Sequence, residues 1–267
     1  MKKMPPLMIL CGGMGTRIRE VTELLPKPMV PIGEQPIVWH IMKSYAAFGV
    51  TRFILCLGYK RECFVDYFAN YHLRTADATI FPGRKEQVQF HSKSDESDWE
   101  ITLAGTGIGT GTGGRVRIAS KYLKEDDECF FLTYGDGVSD FDIASELEFH
   151  RAHKLQLTVG AVHPAARFGE MKIAQDNKVK SFVEKPSRVS GYINGGFMVM
   201  QKTFVDRFIP EEDCFLEQQP LHDAAAAGEM AAFRHEGFWQ CMDTPREHTM
   251  LNDMWAAGNA PWTKFWK

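Results

Sequence analysis

The sequence has no long apolar run, no closely spaced cysteine pair and no excess of basic residues. None of its hydrophobic runs approaches the roughly 20 apolar residues that a membrane-spanning helix needs. The apolar run after the opening prolines, residues 7–11, has only five residues before glycine, too few for a signal-peptide core. The six cysteines are widely spaced, without a C-x-x-C pair or a histidine pattern typical of zinc. We therefore expect a cytoplasmic protein with reduced thiols and no membrane contact.

The balance of charge excludes another class of partner. The 267 residues include 31 basic and 34 acidic side chains, a formal net charge of -3 at pH 7. Binding to a nucleic-acid backbone normally depends on clustered excess lysine and arginine, so we expect no nucleic-acid partner. A small phosphate compound, met by local cations, is the expected charged partner. Because no internal repeat, low-complexity tract or linker interrupts the sequence, residues 1–267 are predicted to form one continuous domain.

Strand-like apolar runs alternate with helical patterns along the chain. The runs at residues 7–11 and Arg52–Leu57 predict strands, while helical patterns follow Pro36 and cover residues 62–69. Cys129–Tyr134 is a nearly continuous apolar run, typical of a strand buried on both faces. This alternation predicts an α/β fold with a mostly parallel, mixed sheet and helices on both faces. Further strands are predicted at residues 79–81, 88–91, 100–103, 155–162, 171–174, 179–184 and 197–201, and further helices at 115–123, 142–153, 215–227 and after Thr244.

A glycine-rich loop follows the first predicted strand and is followed by a lysine between two prolines, Lys27. The loop consists of Leu10, Cys11, Gly12, Gly13, Met14, Gly15, Thr16 and Arg17. Glycines let backbone N–H groups close around phosphate oxygens, because a Cβ would block both the tight turn and the approach. Arg17 can bind phosphate through its forked guanidinium, and Lys27 can bind it as a point charge. An ordinary strand-to-loop turn with two solvated cations would look the same, so the loop alone leaves both interpretations open.

Two aspartates in the second half of the chain are candidate metal ligands. Asp136 lies between two glycines just after Cys129–Tyr134, and open α/β sheets bind ligands at the carboxyl ends of their strands. Asp243 directly precedes the helix start predicted at Thr244. Each also has a purely structural interpretation, as a turn residue or as a charge that favours the helix dipole. Together they would suffice for Mg²⁺, which takes one or two protein carboxylates plus substrate phosphates, provided that the fold brings them together.

A third group of polar residues lies between residues 182 and 197. Glu184 and Asn194 offer hydrogen-bonding groups for sugar hydroxyls, and Lys185 offers a cation for a sugar phosphate. A lysine before a proline at a strand end is often only solvated. The interpretation of this group therefore depends on the glycine-rich loop.

The pattern L-x-G-G-x-G-T-R, followed by K-P, resembles the signature of the sugar-phosphate nucleotidyltransferase family. The likeness extends along nearly the whole chain, to residues 36–43, 67–71, 112–115, 133–138, 193–197, 237–240 and 260–262. It implies a Rossmann-like fold and a homo-oligomer that is often a hexamer. It also implies a reaction in which CTP and glucose 1-phosphate give CDP-glucose and pyrophosphate. The sequence departs from the family at Cys11, where a small alanine is usual, and at Gly105 and Ile108, where aspartates are common.

The resemblance further implies roles for individual residues. The nucleotide would be held by residues 10–17 together with Lys27, Thr110, Arg115 and Gly135. Glucose 1-phosphate would be held by Glu184, Lys185, Asn194 and Gly195. The catalytic cations would be Arg17 and Lys27, and Mg²⁺ would be held by Asp136 and Asp243. The residues by themselves do not identify the base, so UTP and dTTP stand as alternatives to CTP.

Two rival functions come from other classes. Residues 109–114 satisfy G-x-G-x-x-G between a possible strand and a helix, about twenty residues before Asp136, which is the pattern of an NAD site. An oxidoreductase is disfavoured because the strand before this motif is weakly predicted and because Asp136 lies in a turn beyond its own strand. A non-catalytic sugar-nucleotide sensor would also keep a phosphate-binding loop. The presence of Lys27 together with two candidate metal acids favours catalysis.

Overall fold

The computed structural model describes residues 3–13, 24–83, 87–164, 170–183, 191–210 and 213–266. Within these ranges no helix is long and apolar enough to cross a lipid bilayer. All six cysteines lie within them, and none is in a disulfide bond.

The strands of the described residues form one large sheet and four small ribbons. In chain order they are β1 (Leu7–Leu10), β2 (Pro31–Ile32), β3 (Gln35–Pro36), β4 (Arg52–Leu57), β5 (Ala78–Ile80), β6 (Val88–Phe90), β7 (Glu100–Gly105), β8 (Cys129–Tyr134), β9 (Gly137–Ser139), β10 (Leu157–Val162), β11 (Glu170–Ile173), β12 (Val179–Val183), β13 (Ile193–Gln201), β14 (Met230–His235) and β15 (Trp239–Cys241). The seven-stranded sheet has the order β14-β10-β13-β8-β1-β4-β7. Only β13 runs antiparallel to its neighbours β10 and β8 within this sheet. The predicted mostly parallel, mixed sheet is therefore confirmed.

Helices cover both faces of the large sheet. They are α1 (Ile37–Ala46), α2 (Arg61–Ala69), α3 (Tyr71–Thr75), α4 (Thr112–Ala119), α5 (Ile143–His153), α6 (Lys202–Phe208), α7 (Gln219–Ala226) and α8 (Pro245–Ala256). On β1, Leu7 and Ile9 belong to the core cluster that includes α1, α2, α5 and α8. Met8 and Leu10 belong to the opposite cluster, with α4, α6 and α7. Because its side chains alternate between two apolar cores, β1 is buried along its whole length.

Local patterns locate most elements but misplace some boundaries. The helix predicted at residues 115–123 begins earlier, at Thr112, and its α-helical part ends at Ala119. The helix predicted at residues 215–227 begins only at Gln219, because the preceding residues pack against the start of α4. Local patterns do not predict α6 and β14. The segment that forms β14 has no β-branched residue, so its composition gives little sign of a strand.

Candidate active site

A cavity of about 670 Å³ opens where β1 and β8 end. These two strands are parallel neighbours at the centre of the sheet, so both deliver their following loops to the same edge. From β1 the chain continues to β4, which is the neighbour of β1 on one side in the sheet, whereas β8 is its neighbour on the other side. Ligands of open α/β sheets bind in the crevice that such a divergence creates.

Lys27 forms ion pairs with two aspartates at this cavity. Its Nζ atom lies 2.5 Å from Asp136 Oδ2 and 2.6 Å from Asp243 Oδ1. Burial by itself lowers the pKa of Lys27, but the two carboxylates outweigh that effect and the net pKa is raised. Lys27 is therefore a fixed positive charge at neutral pH, only 9% exposed.

Short-range structure explains how each of the three residues reaches the cavity. Lys27 begins a 3₁₀ helix and is flanked by Pro26 and Pro28, whose rings restrict the backbone. Gly135 allows the chain to turn after β8, since a Cβ there would lie only 2.9 Å from the Pro28 ring. This close approach sets Asp136 beside Lys27.

Asp243 is positioned by a ribbon and by a helix cap. Strand β9 begins directly after Asp136 and pairs in antiparallel register with β15, which ends at Cys241, two residues before Asp243. Between them, the Met242 N–H donates to the Asp136 carbonyl at 2.8 Å. The Glu247 carboxylate accepts from the backbone N–H of Asp243 at 2.7 Å and from that of Thr244 at 2.8 Å. The predicted capping box of α8 is thus present. It fixes the backbone at Asp243 itself.

Arg115 lies beneath the glycine loop rather than in open space. Its terminal nitrogens donate to Thr106 Oγ1, to the carbonyls of Gly107 and Ile108, and to the Gly12 carbonyl, at 2.8 to 3.1 Å. These four bonds account for all the terminal N–H groups of the guanidinium. A Cβ on Gly12 would lie 1.9 Å from the Arg115 guanidinium, so the glycine is required by this contact. Arg115 therefore joins the loop after β1 to the loop after β7.

Gly111 and Gly113, within residues 109–114, have a packing explanation, whereas a Cβ on Gly109 would meet no described atom within 4 Å. A Cβ at Gly111 would lie 2.3 Å from the Cys214 carbonyl oxygen, and one at Gly113 would lie 2.7 Å from Cys214 Sγ. The Gly114 N–H donates to the same Cys214 carbonyl at 3.1 Å. Residues 111–114 are thus used for contact with the chain before α7. The G-x-G-x-x-G match requires no dinucleotide.

Thiols at the cavity are not activated. Burial raises the pKa of Cys11 well above its usual value and raises that of Cys241 to about 12. Both thiols are protonated at neutral pH, and a thiol is a poor nucleophile compared with a thiolate.

Most of the predicted nucleotide and metal residues line this one cavity. They are Leu10, Cys11, Gly12, Gly13, Lys27, Thr110, Arg115, Gly135, Asp136 and Asp243. Asn194 and Gly195 adjoin the cavity, since the Gly195 carbonyl accepts from the indole N–H of the cavity residue Trp239 at 2.8 Å. The remaining predicted residues lie outside the described ranges, and they are Met14, Gly15, Thr16, Arg17, Glu184 and Lys185.

Three aromatic residues also line the cavity and were missed in the sequence analysis. They are Tyr134, Phe215 and Trp239. Tyr134 ends an apolar strand and Trp239 lies in a short strand, so both have the local pattern of core residues. Phe215 lay within a predicted helix, although its side chain is 52% exposed at the cavity. Of the three, only Tyr134 has a sequence position, next to Gly135-Asp136, that could have indicated a place at the cavity.

Comparison with known proteins identifies the family of the chain. The family model described as nucleotidyl transferase matches residues 7–239. A glucose-1-phosphate cytidylyltransferase of Salmonella typhi is 46% identical over 260 residues, which cover 97% of this chain and 99% of that protein. Its counterpart from Salmonella typhimurium is 45% identical with the same coverage.

Solved structures support the fold. The crystal structure of HddC from Yersinia pseudotuberculosis matches with a TM-score of 0.66 at 24% identity, covering 94% of this chain and 100% of that one. The family match spans most of the sequence, including both central strands and the residues between them. The chain therefore belongs to the nucleotidyl transferase family, and glucose-1-phosphate cytidylyltransferases resemble it along nearly its whole length.

Proposed function

We propose that this chain transfers the cytidylyl group of CTP to α-D-glucose 1-phosphate, forming CDP-glucose and pyrophosphate. One observation carries the proposal: Lys27, Asp136 and Asp243, taken from three distant motifs, meet at hydrogen-bond distance beside one cavity. The 46% identity to a Salmonella typhi glucose-1-phosphate cytidylyltransferase, over 97% of this chain, supports CTP and glucose 1-phosphate as the substrates.

We assign the triphosphate to the loop after β1. Gly12 and Gly13 line the cavity, and a Cβ on Gly13 would meet no described atom within 4 Å. That side of the loop is open to a ligand, and its backbone N–H groups suit phosphate oxygens. Lys27 lies at the same edge of the sheet. Arg17 keeps its proposed role as the second cation on the strength of its motif.

Asp136 and Asp243 fit Mg²⁺ by the chemistry of their donors. Both present a carboxylate oxygen to the same point, and Mg²⁺ is bound by one or two carboxylates together with substrate phosphates and waters. The described residues contain no group of three or more His, Cys, Asp or Glu side chains that could hold a metal. A bound Mg²⁺ would neutralise negative charge on the phosphates.

The proposed reaction is an in-line displacement. A phosphate oxygen of glucose 1-phosphate forms a bond to the α-phosphorus of CTP. The bond from that phosphorus to the oxygen bridging the β-phosphate breaks, and pyrophosphate leaves with its electron pair. The attacking oxygen is already anionic, so no strong general base is needed. The protonated state of Cys11 and Cys241 agrees with direct transfer without a cysteine intermediate.

The residues of the chain would then contribute alignment and charge neutralisation. Lys27 carries a fixed positive charge where pyrophosphate would develop charge, and preorganised charges of this kind supply much of the catalysis in phosphoryl transfer. The family resemblance implies that Arg115 contacts the nucleotide directly. We instead assign Arg115 the role of holding together the two loops on either side of the nucleotide, because its terminal N–H groups already have acceptors.

The sugar phosphate would lie on the side of the cavity nearest β13. Gly195, next to Asn194 in that strand, accepts a hydrogen bond from the cavity residue Trp239. We assign Asn194 to a sugar hydroxyl, and Glu184 and Lys185 keep their proposed roles on the strength of their motif. A homo-oligomer, the other implication of the family resemblance, stays a prediction that light scattering of the purified protein would measure.

The function is tested by measuring pyrophosphate release with each nucleoside triphosphate in the presence of glucose 1-phosphate and Mg²⁺. We expect release with CTP to exceed that with UTP, dTTP or ATP, and CDP-glucose to form in equal amount. Faster release with UTP or dTTP would overturn the choice of base but not the reaction. Binding of CTP or CDP-glucose without any pyrophosphate would indicate a sensor, and NADH binding without it would indicate the oxidoreductase.

A further inference from the structure

The carboxylate of Glu217 bridges two hydroxyl groups at the mouth of the cavity. Thr112 Oγ1 donates to Glu217 Oε2 at 2.5 Å, and the Tyr134 hydroxyl donates to Glu217 Oε1. Thr112 is the first residue of α4, which follows the loop at residues 106–111. Tyr134 is the last residue of β8, directly before Gly135 and Asp136. Glu217 therefore links the two walls of the cavity across 105 and 83 residues of sequence.

The segment that carries Glu217 is itself fixed. The Leu216 N–H donates to Thr112 Oγ1 at 2.8 Å, and the Leu216 side chain is fully buried. The Cys214 carbonyl accepts from the Gly114 N–H at 3.1 Å. Although the Glu217 side chain is exposed at the cavity mouth, its backbone thus has a defined position.

The link continues from Tyr134 to Asn194 by way of Gly196. The Tyr134 hydroxyl donates its proton to Glu217, which holds the ring at the end of β8. Gly196 has φ of +79°, and a Cβ there would lie 2.3 Å from the Tyr134 ring. The Gly196 N–H donates to the side-chain Oδ1 of Asn194 at 2.8 Å. Gly196 therefore lies against the Tyr134 ring and holds the Asn194 amide.

We propose that Glu217 is a positioning residue, which fixes Tyr134 through its hydroxyl and thereby orients the Asn194 amide toward the sugar of glucose 1-phosphate. The inference rests on the proposed function, since it assigns Asn194 to the sugar. Gly196 carries the effect, because it lies against the Tyr134 ring and its N–H holds Asn194 Oδ1, which leaves the N–H groups of the amide for a sugar hydroxyl. Without the carboxylate, the Tyr134 ring is no longer held at its hydroxyl and the amide loses its fixed orientation.

Truncation of Glu217 tests this role. We expect Glu217→Ala to raise KM for glucose 1-phosphate about tenfold, the factor expected from the loss of one hydrogen-bonded group to a charged partner. The KM for CTP and kcat should change by no more than about twofold, because Lys27 and the two aspartates are untouched. Glu217→Gln keeps one acceptor and one donor at the same place, so it should restore KM to within about threefold of the original value.

Tyr134→Phe separates positioning from general loosening. It removes only the hydroxyl, and if Glu217 acts through that hydroxyl, the double variant Tyr134→Phe/Glu217→Ala should be no worse than the poorer single variant. Glu125→Gln, an exposed glutamate far from the cavity, is the matched control and should leave both KM values unchanged.

Unchanged KM for glucose 1-phosphate in Glu217→Ala, or an equal rise in both KM values, would overturn the inference. Multiplying effects in the double variant would also overturn it. If the unmodified protein releases no pyrophosphate with any nucleotide, the proposed function fails first. An active protein with an insensitive Glu217 would refute only the positioning role.

Discussion

Lys27 Nζ lies 2.6 Å from Asp243 Oδ1, although 216 residues separate them in the sequence. The same nitrogen lies 2.5 Å from Asp136 Oδ2. This group compensates the charge of the buried Lys27 with two carboxylates, which leaves one negative charge in excess. It also gathers the charges that phosphoryl transfer needs, which is why the account of function depends on it.

Replacement of Asp136 tests its proposed place at the metal. Asp136→Asn keeps the shape but removes the negative charge, so we expect the Mg²⁺ concentration for half-maximal pyrophosphate release to rise about tenfold or more. A magnesium titration of the rate measures it. Asp206→Asn is the control, since that side chain is 88% exposed and far from the cavity. An unchanged titration in Asp136→Asn would remove Asp136 from the metal site.

Arg115 should affect nucleotide binding through the loops that it joins. Lysine has three N–H donors at one point and cannot reach four acceptors spread over two loops, so Arg115→Lys should raise KM for CTP about tenfold. Initial rates at varied CTP measure this, with Arg74→Lys at an exposed site as control. A normal KM for CTP would show that the bonds to Gly12 and residues 106–108 do not hold the nucleotide site together.

Glu146 makes stability depend on pH. It is fully buried on α5, and no described residue gives either of its carboxylate oxygens a hydrogen-bond partner. Burial raises the pKa of Glu146 well above its ordinary value of 4.5, so the unfolded chain ionises at a lower pH than the folded one. The contribution of Glu146 to the free energy of unfolding is fully present below pH 4.5. As the pH rises from there toward the pKa of Glu146 in the folded protein, the free energy of unfolding falls by about 1.4 kcal/mol per pH unit.

Glu146→Gln should therefore have a higher free energy of unfolding than the original protein at pH 8, and this difference should be smaller at pH 5. Urea unfolding at the two pH values measures the difference, with Glu148→Gln on the exposed side of α5 as control. Equal effects of Glu146→Gln at both values would mean that Glu146 ionises normally in the folded protein.

Local sequence predicts the parts of this site better than their assembly. Glycine after an apolar run predicts the loop after β1, and the capping box predicts the start of α8 beside Asp243. The meeting of Lys27 with Asp136 and Asp243 depends on strand order and on the β9–β15 ribbon, which no local pattern contains. Glu217 could not be found either, since an exposed glutamate between two elements has no signature until its partners are in place.

The most direct test of the account is pyrophosphate release by Lys27→Ala at varied CTP, with saturating glucose 1-phosphate and Mg²⁺. Loss of a preorganised charge at the reacting phosphates should lower kcat/KM for CTP by about 100-fold or more, while Lys121→Ala, at an exposed lysine, stays normal. Thermal unfolding of both variants checks that they are folded. Near-normal kcat/KM in folded Lys27→Ala would contradict the central claim that the group formed by Lys27, Asp136 and Asp243 is the catalytic centre.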